Sequence, residues 1–151
     1  MRYFRFVMIL AALLPVASAC ADTADSEASI MKLVASMSET WNAGDMPGYL
    51  DLYAKNDRTR LVFADTRLVG WQQIHDLYTN SWPDEEKMGD FSTEDVAVTF
   101  LDDRIAIVSG IFRHQFPDEK IHGAFSLVTE NIEGTGWKIV FEHTSRGRSP
   151  E

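Results

Sequence analysis

At 151 residues, 45% hydrophobic and 25% charged, the chain has the length and composition of one globular domain with a real core. A formal charge of −9 repels phosphate backbones and anionic lipid head groups, which argues against nucleic acid as a partner. Removal of the N-terminus would take Arg2 and Arg5 with it, leaving 12 basic against 23 acidic residues.

Met1 to Ala21 has a basic start, an apolar run from Phe6 to Val16 and the small residues Ala17-Ser18-Ala19 before Cys20. The run is shorter than the roughly 20 residues that span a bilayer, so this stretch reads as a secretory signal and residues 22–151 as the mature domain. Cys20, the only cysteine, stands where a lipobox-type signal places its lipidated residue. Ala17 replaces the usual Leu, and ordinary signal peptidase cleavage fits Ala17-x-Ala19 or Ala19-x-Ala21 equally well. Export to the periplasm follows from either, with a membrane tether through Cys20 in the first case. Without Cys20 the domain has no thiol for a disulfide or a thiolate metal site.

From Ser26, Ile30, Leu33, Val34, Met37 and Trp41 make a helical apolar stripe that Gly44 ends. Asp45 caps a second, shorter helix with Met46, Leu50 and Tyr53 on one face and Tyr49 beside them. Leu61-Val62-Phe63 is a short strand. A third helix runs from Trp71 to Trp82 and stops at Pro83, and Asp84 to Asp90 reads as a polar loop. Thr93 to Phe100 and Arg104 to Phe116 are strands. Ile121 to Ser145 forms a hairpin about the turn Glu133-Gly134-Thr135-Gly136, with apolar residues at every second position.

Three helices with one small strand, then four antiparallel strands, define an α+β domain with helices over one face of a curved sheet. The segments Trp41-Asn42-Ala43-Gly44-Asp45, Leu68-Val69-Gly70-Trp71 and Gly136 to Ser145 resemble the SnoaL-like branch of the nuclear transport factor 2-like superfamily, over most of residues 26–146. The resemblance implies a cone-shaped fold with a pocket between helices and sheet, and a homodimer. It does not choose among isomerases, cyclases, dehydratases, ligand binders and assembly modules.

With Ile132 opposite Gly136, Phe125 faces His143 and Leu127 faces Phe141. With Phe116 opposite Ile121, Phe112 faces Phe125 and His114 faces Gly123. The inner face then holds Phe112, His114, Phe125, Phe141 and His143, and the two imidazoles bracket a small ligand at about 10 Å. His114 and His143 are the candidate acid–base or hydrogen-bonding groups. Trp41, Tyr53, Tyr78 and Trp82, with Tyr49 and Phe63, are the candidate helical half of the cavity, and Gly123 is expected to leave space beside His114. His75, His122 and Arg67 read as surface residues. Glu130 and Glu142 point outward on this register, so no carboxylate faces the pocket, which counts against an isomerase that uses a buried acid.

No phosphate loop, Gly-x-Ser-x-Gly, His-Glu-x-x-His or Cys-x-x-Cys occurs, and the acidic runs lack calcium-loop spacing, so neither cofactor nor metal is expected. The expectation is an exported domain that binds a small, mostly apolar molecule. The alternatives are a cofactor-independent cyclase, isomerase or dehydratase using a pocket histidine, and a homodimeric assembly module with a vestigial pocket.

Overall fold

The computed structural model describes residues 17–147, with side chains from Thr23 onward. Of the expected signal, Met1 to Ala21, residues 1–16 lie outside the described residues, and the side chains of residues 17–21, Cys20 included, are not described. Helix α1 (Ala17–Asn42) begins before the expected Ser26, because Asp22 to Asp25 contains no Gly or Pro to stop it. Its stripe is as read: Ile30, Leu33, Val34, Met37 and Trp41 are all buried, and the helix packs on the sheet. Helix α2 (Met46–Asp51) starts at Asp45, whose carboxylate accepts from the Gly48 N–H at 2.9 Å. Among the described residues no helix is long and apolar enough to cross a membrane.

Strands β1 (Arg60–Phe63) and β2 (Thr66–Val69) form a hairpin where one short strand is expected, and α3 spans Trp71–Ser81. The expected loop after it contains a fourth helix, α4 (Glu85–Met88). Local chemistry explains it: the Asp84 carboxylate accepts from the Lys87 N–H at 3.2 Å, Gly89 ends the turn at φ +65°, and Met88 is buried. Strands β3 (Asp90–Phe100), β4 (Ile105–Gln115), β5 (Lys120–Ile132) and β6 (Gly136–Arg146) complete a six-stranded sheet in the order β2-β1-β6-β5-β4-β3. All pairs are antiparallel except β1 with β6.

Register decides which side chains reach the inner face. Between β4 and β5 the pairs are Phe112 with Gly123, His114 with Ile121 and Gly110 with Phe125. This is two residues from the expected register. Side chains alternate with period two, so the offset keeps His114, Phe112 and Phe125 inward, and all three are buried. Between β5 and β6 the expected register holds from Ile132↔Gly136 to Thr129↔Ile139. A β-bulge then inserts Val140, and the pairs become Val128↔Phe141, Leu127↔Glu142, Ser126↔His143 and Phe125↔Thr144.

That one residue reverses the facing of every side chain in the last part of β6 relative to the expected register. His143 is exposed and Phe141 is turned to the outer face, whereas Glu142 is buried. The two imidazoles therefore do not bracket anything. The bulge falls where β6 changes neighbours. Ile139 exchanges hydrogen bonds with the chain just after α2 (Ile139 N–H to Leu52 O, 2.9 Å; Ala54 N–H to Ile139 O, 2.9 Å), and from Phe141 onward β6 pairs with β1.

Gly123 also differs from expectation. A Cβ there would lie 1.8 Å from the Ser145 carbonyl oxygen and 2.9 Å from the Phe112 ring, so glycine permits close backbone approach rather than leaving cavity space. Gly123→Ala is expected to cost about 1–3 kcal/mol or more, measured as a lowered urea midpoint with unchanged slope.

Candidate active site

The inner sheet face and the helices enclose a cavity of about 260 Å³. Trp41 is the hub of its helical wall. Its ring meets Tyr49, Tyr78, Trp82 and His114 edge-on at 5.0–6.1 Å, and its Nε1–H donates to the Met88 carbonyl at 2.9 Å. Phe112 and Phe125 supply the sheet side, and Phe91 and Phe116 close the rim beside His114.

Glu142 is the one carboxylate in the wall. Tyr53 donates its hydroxyl to Glu142 Oε2, while Oε1 accepts no hydrogen bond from the described residues. Tyr53 stands where it does because residues 52–54 pair with Ile139, on the same strand as Glu142 and just before the bulge. Tyr49 and Tyr78 complete a phenol cluster with ring centroids 5.2–6.3 Å apart. Burial lifts the Glu142 carboxyl from its ordinary 4.5 to about 7, and the Tyr53 bond offsets only part of that rise. Burial, first, and the nearby carboxylate push all three phenols upward, so they remain protonated donors.

His114 lies elsewhere in the wall, its ring stacked on Phe116 at 3.7 Å. Its Nε2 is 2.6 Å from the Met88 carbonyl oxygen. A carbonyl only accepts, so Nε2 carries the hydrogen and Nδ1 is left as an acceptor. Burial, the largest influence, lowers the His114 pKa, against a smaller rise from the Met88 carbonyl and Asp90. Burial therefore favours the neutral imidazole.

Of the residues singled out by sequence, Trp41, Tyr78, Trp82, Phe112, Phe125 and His114 stand in the cavity wall. Tyr53 is buried behind it and acts through Glu142. Phe141 and His143 stand on the other face, and Arg67 is exposed on β2. Glu142 is the cavity-wall residue that strand alternation does not reveal. The signal lay in Ile139-Val140-Phe141, three consecutive apolar residues that break the strand's alternation as a bulge does. Among the described residues no group of three or more His, Cys, Asp or Glu is placed to hold a metal ion.

No family model matches the chain, and no curated protein sequence does either. Solved structures do. An NTF2-like protein of unknown function from Shewanella oneidensis aligns with a TM-score of 0.73 and 26% identity, over 82% of this chain and 98% of that one. A candidate scytalone dehydratase from Novosphingobium aromaticivorans gives 0.71 at 11% identity, over 85% and 89%. A candidate ketosteroid isomerase from Parabacteroides distasonis gives 0.63 at 18%, over 79% and 86%. The chain thus has the α+β fold of the nuclear transport factor 2-like superfamily.

Proposed function

We propose that this chain is an exported, SnoaL-like member of the superfamily that binds a small, largely apolar molecule in the cavity and moves a proton on it. Glu142 is the acid–base group of a cofactor-independent isomerisation or dehydration. One observation carries this reading: a carboxyl buried in an apolar cavity wall, with Oε2 held by Tyr53 and Oε1 free of donors among the described residues, surroundings that push its pKa up to about 7. Such a group takes and returns a proton near neutral pH with little penalty in either direction. His114, neutral with Nδ1 unprotonated, is the second polar contact for the ligand. The objection that no carboxylate faces the pocket disappears with the bulge at Val140. The candidate isomerase and candidate dehydratase of the same fold support the reading at the level of fold alone.

Export is supported by the basic, apolar and small-residue order of Met1 to Cys20, with lipidation of Cys20 as its tethered form. A homodimer rests on the SnoaL-like resemblance and is checked by sedimentation.

The test is deuterium exchange in heavy water over a panel of small cyclic ketones, enones and amino ketones, read by mass spectrometry. The wild-type protein is expected to label at least one member next to its carbonyl. Glu142→Gln is expected to slow that labelling by about 10²–10⁴-fold. A wild-type protein that binds panel members yet labels none would favour a binding protein without chemistry, the reading to which the aromatic wall by itself also leads.

A further inference from the structure

The cavity offers a ligand one formal charge, and it is negative. Among the described residues no Lys or Arg stands in its wall, and burial disfavours the charged form of His114. Basic side chains of the fold are engaged outside it: Lys55 and Lys138 on Asp51, Arg113 on Glu94, Arg146 on Glu119. Glu142 receives a single phenol hydrogen bond and no cation, an arrangement in which a buried carboxylate stays uncompensated. Around it the wall is aromatic, with Trp41, Tyr49 and Tyr78 on the helical side and Trp82 and Phe116 stacked at 6.2 Å toward the rim. Ring faces attract cations, most strongly where water is excluded, and a cavity lined by rings that holds one carboxylate is complementary to a positively charged nitrogen on an apolar body.

We infer that the cavity selects organic cations: an ammonium or iminium nitrogen pairs with Glu142 Oε1, and its hydrocarbon portion lies among the rings. Anionic ligands are rejected by the same carboxylate and by the acidic surface. The inference shares with the acid–base reading only the premise that Glu142 faces the cavity, and it goes beyond that reading by setting the sign of the ligand's charge. The two are chemically compatible. For an iminium ligand, a C–H on the carbon next to the C=N carbon can pass its proton to Glu142 Oε1; the C–H electron pair becomes the C=C bond of an enamine and the C=N π pair returns to nitrogen, so both charges vanish inside the apolar cavity.

The test uses benzyltrimethylammonium, whose charge does not titrate, and its uncharged isostere neopentylbenzene, with binding to the purified protein followed by tryptophan fluorescence. At pH 8 the cation is expected to bind at least about tenfold tighter than the isostere. In Glu142→Gln that preference is expected to collapse while isostere affinity is kept. Affinity for the cation is expected to rise about tenfold from pH 6 to pH 8, as a carboxyl titrating near 7 ionises. The titratable groups facing Glu142 are Tyr53 and Tyr49 from the α2 segment and Tyr78 from α3, all raised by burial, and its β1 and β5 partners are Leu61 and Leu127. His114, the other titrating group in the wall, is controlled by repeating the series in His114→Gln.

Equal affinity for the two probes, a preference that survives Glu142→Gln, or no binding of either probe would each overturn the inference. Cation preference without deuterium labelling would sink the acid–base reading alone, and labelling without cation preference would sink this inference alone.

Discussion

Glu142→Gln is expected to stabilise the protein at pH 8 by up to about 3 kcal/mol, with almost no effect below pH 4.5. The sign follows from proton counts. In the native chain Glu142 keeps its proton up to about 7, whereas in the unfolded chain it loses it near 4.5, so between those values the native state binds more protons and stability falls as pH rises. A shift of about 2.5 pH units corresponds to roughly 3 kcal/mol, and the neutral amide avoids all of it. For a domain of this size that is an increase in Tm of roughly 10 °C, read by calorimetry at pH 8 and compared with pH 4.5. A substitution that stabilises the fold while abolishing proton exchange marks a residue kept for chemistry rather than for folding. Equal stabilities at pH 8 would show that Glu142 is ionised and compensated in the native state.

Trp41→Ala is expected to cost about 3–5 kcal/mol, the range for removing a large buried aromatic side chain. Trp41 is 3% exposed, touches five rings and donates to the Met88 carbonyl, which also holds His114. The loss therefore extends beyond cavity formation to the anchoring of α4. A urea titration measures it. Trp41→Phe, which keeps most of the ring contacts but not the N–H, is expected to recover more than half. A Trp41→Ala protein within about 1 kcal/mol of wild type would contradict the hub assignment.

These two residues show what could be read from the chain. Trp41 was legible because its burial depends on local periodicity: the stripe from Ile30 to Trp41 has one helical solution, and the structure buries every member. His114 was legible for a subtler reason. The β4–β5 register differs from the expected one by two residues, yet the face a side chain takes depends only on whether an offset is odd or even. Helix α4 carried its own signals, a capping Asp84, Glu85 and Glu86 in the first turn and Gly89 after the last, although its polarity reads as a loop.

Glu142 was not legible from alternation. Its orientation depends on one extra residue, Val140, at the point where β6 leaves the chain after α2 and joins β1. That exchange of neighbours is a tertiary event, and only the run Ile139-Val140-Phe141 hints at it. As an aromatic residue with an orienting hydroxyl, Tyr53 reads from sequence as a ligand contact. Its place is behind the cavity wall, and its work is to fix the Glu142 carboxyl.

The claim on which the account turns is that Glu142 faces an apolar cavity as a carboxyl poised near neutrality. Its side-chain carboxyl ¹³C resonance, assigned by its disappearance in Glu142→Gln and followed from pH 3 to pH 9 in the ligand-free protein, tests this directly. A midpoint at about 7 is expected. A midpoint near the ordinary carboxylate value of 4.5 would contradict it, because such an acid is either reached by water or compensated by donors, and in both cases is too weak a base to carry the proton of the site.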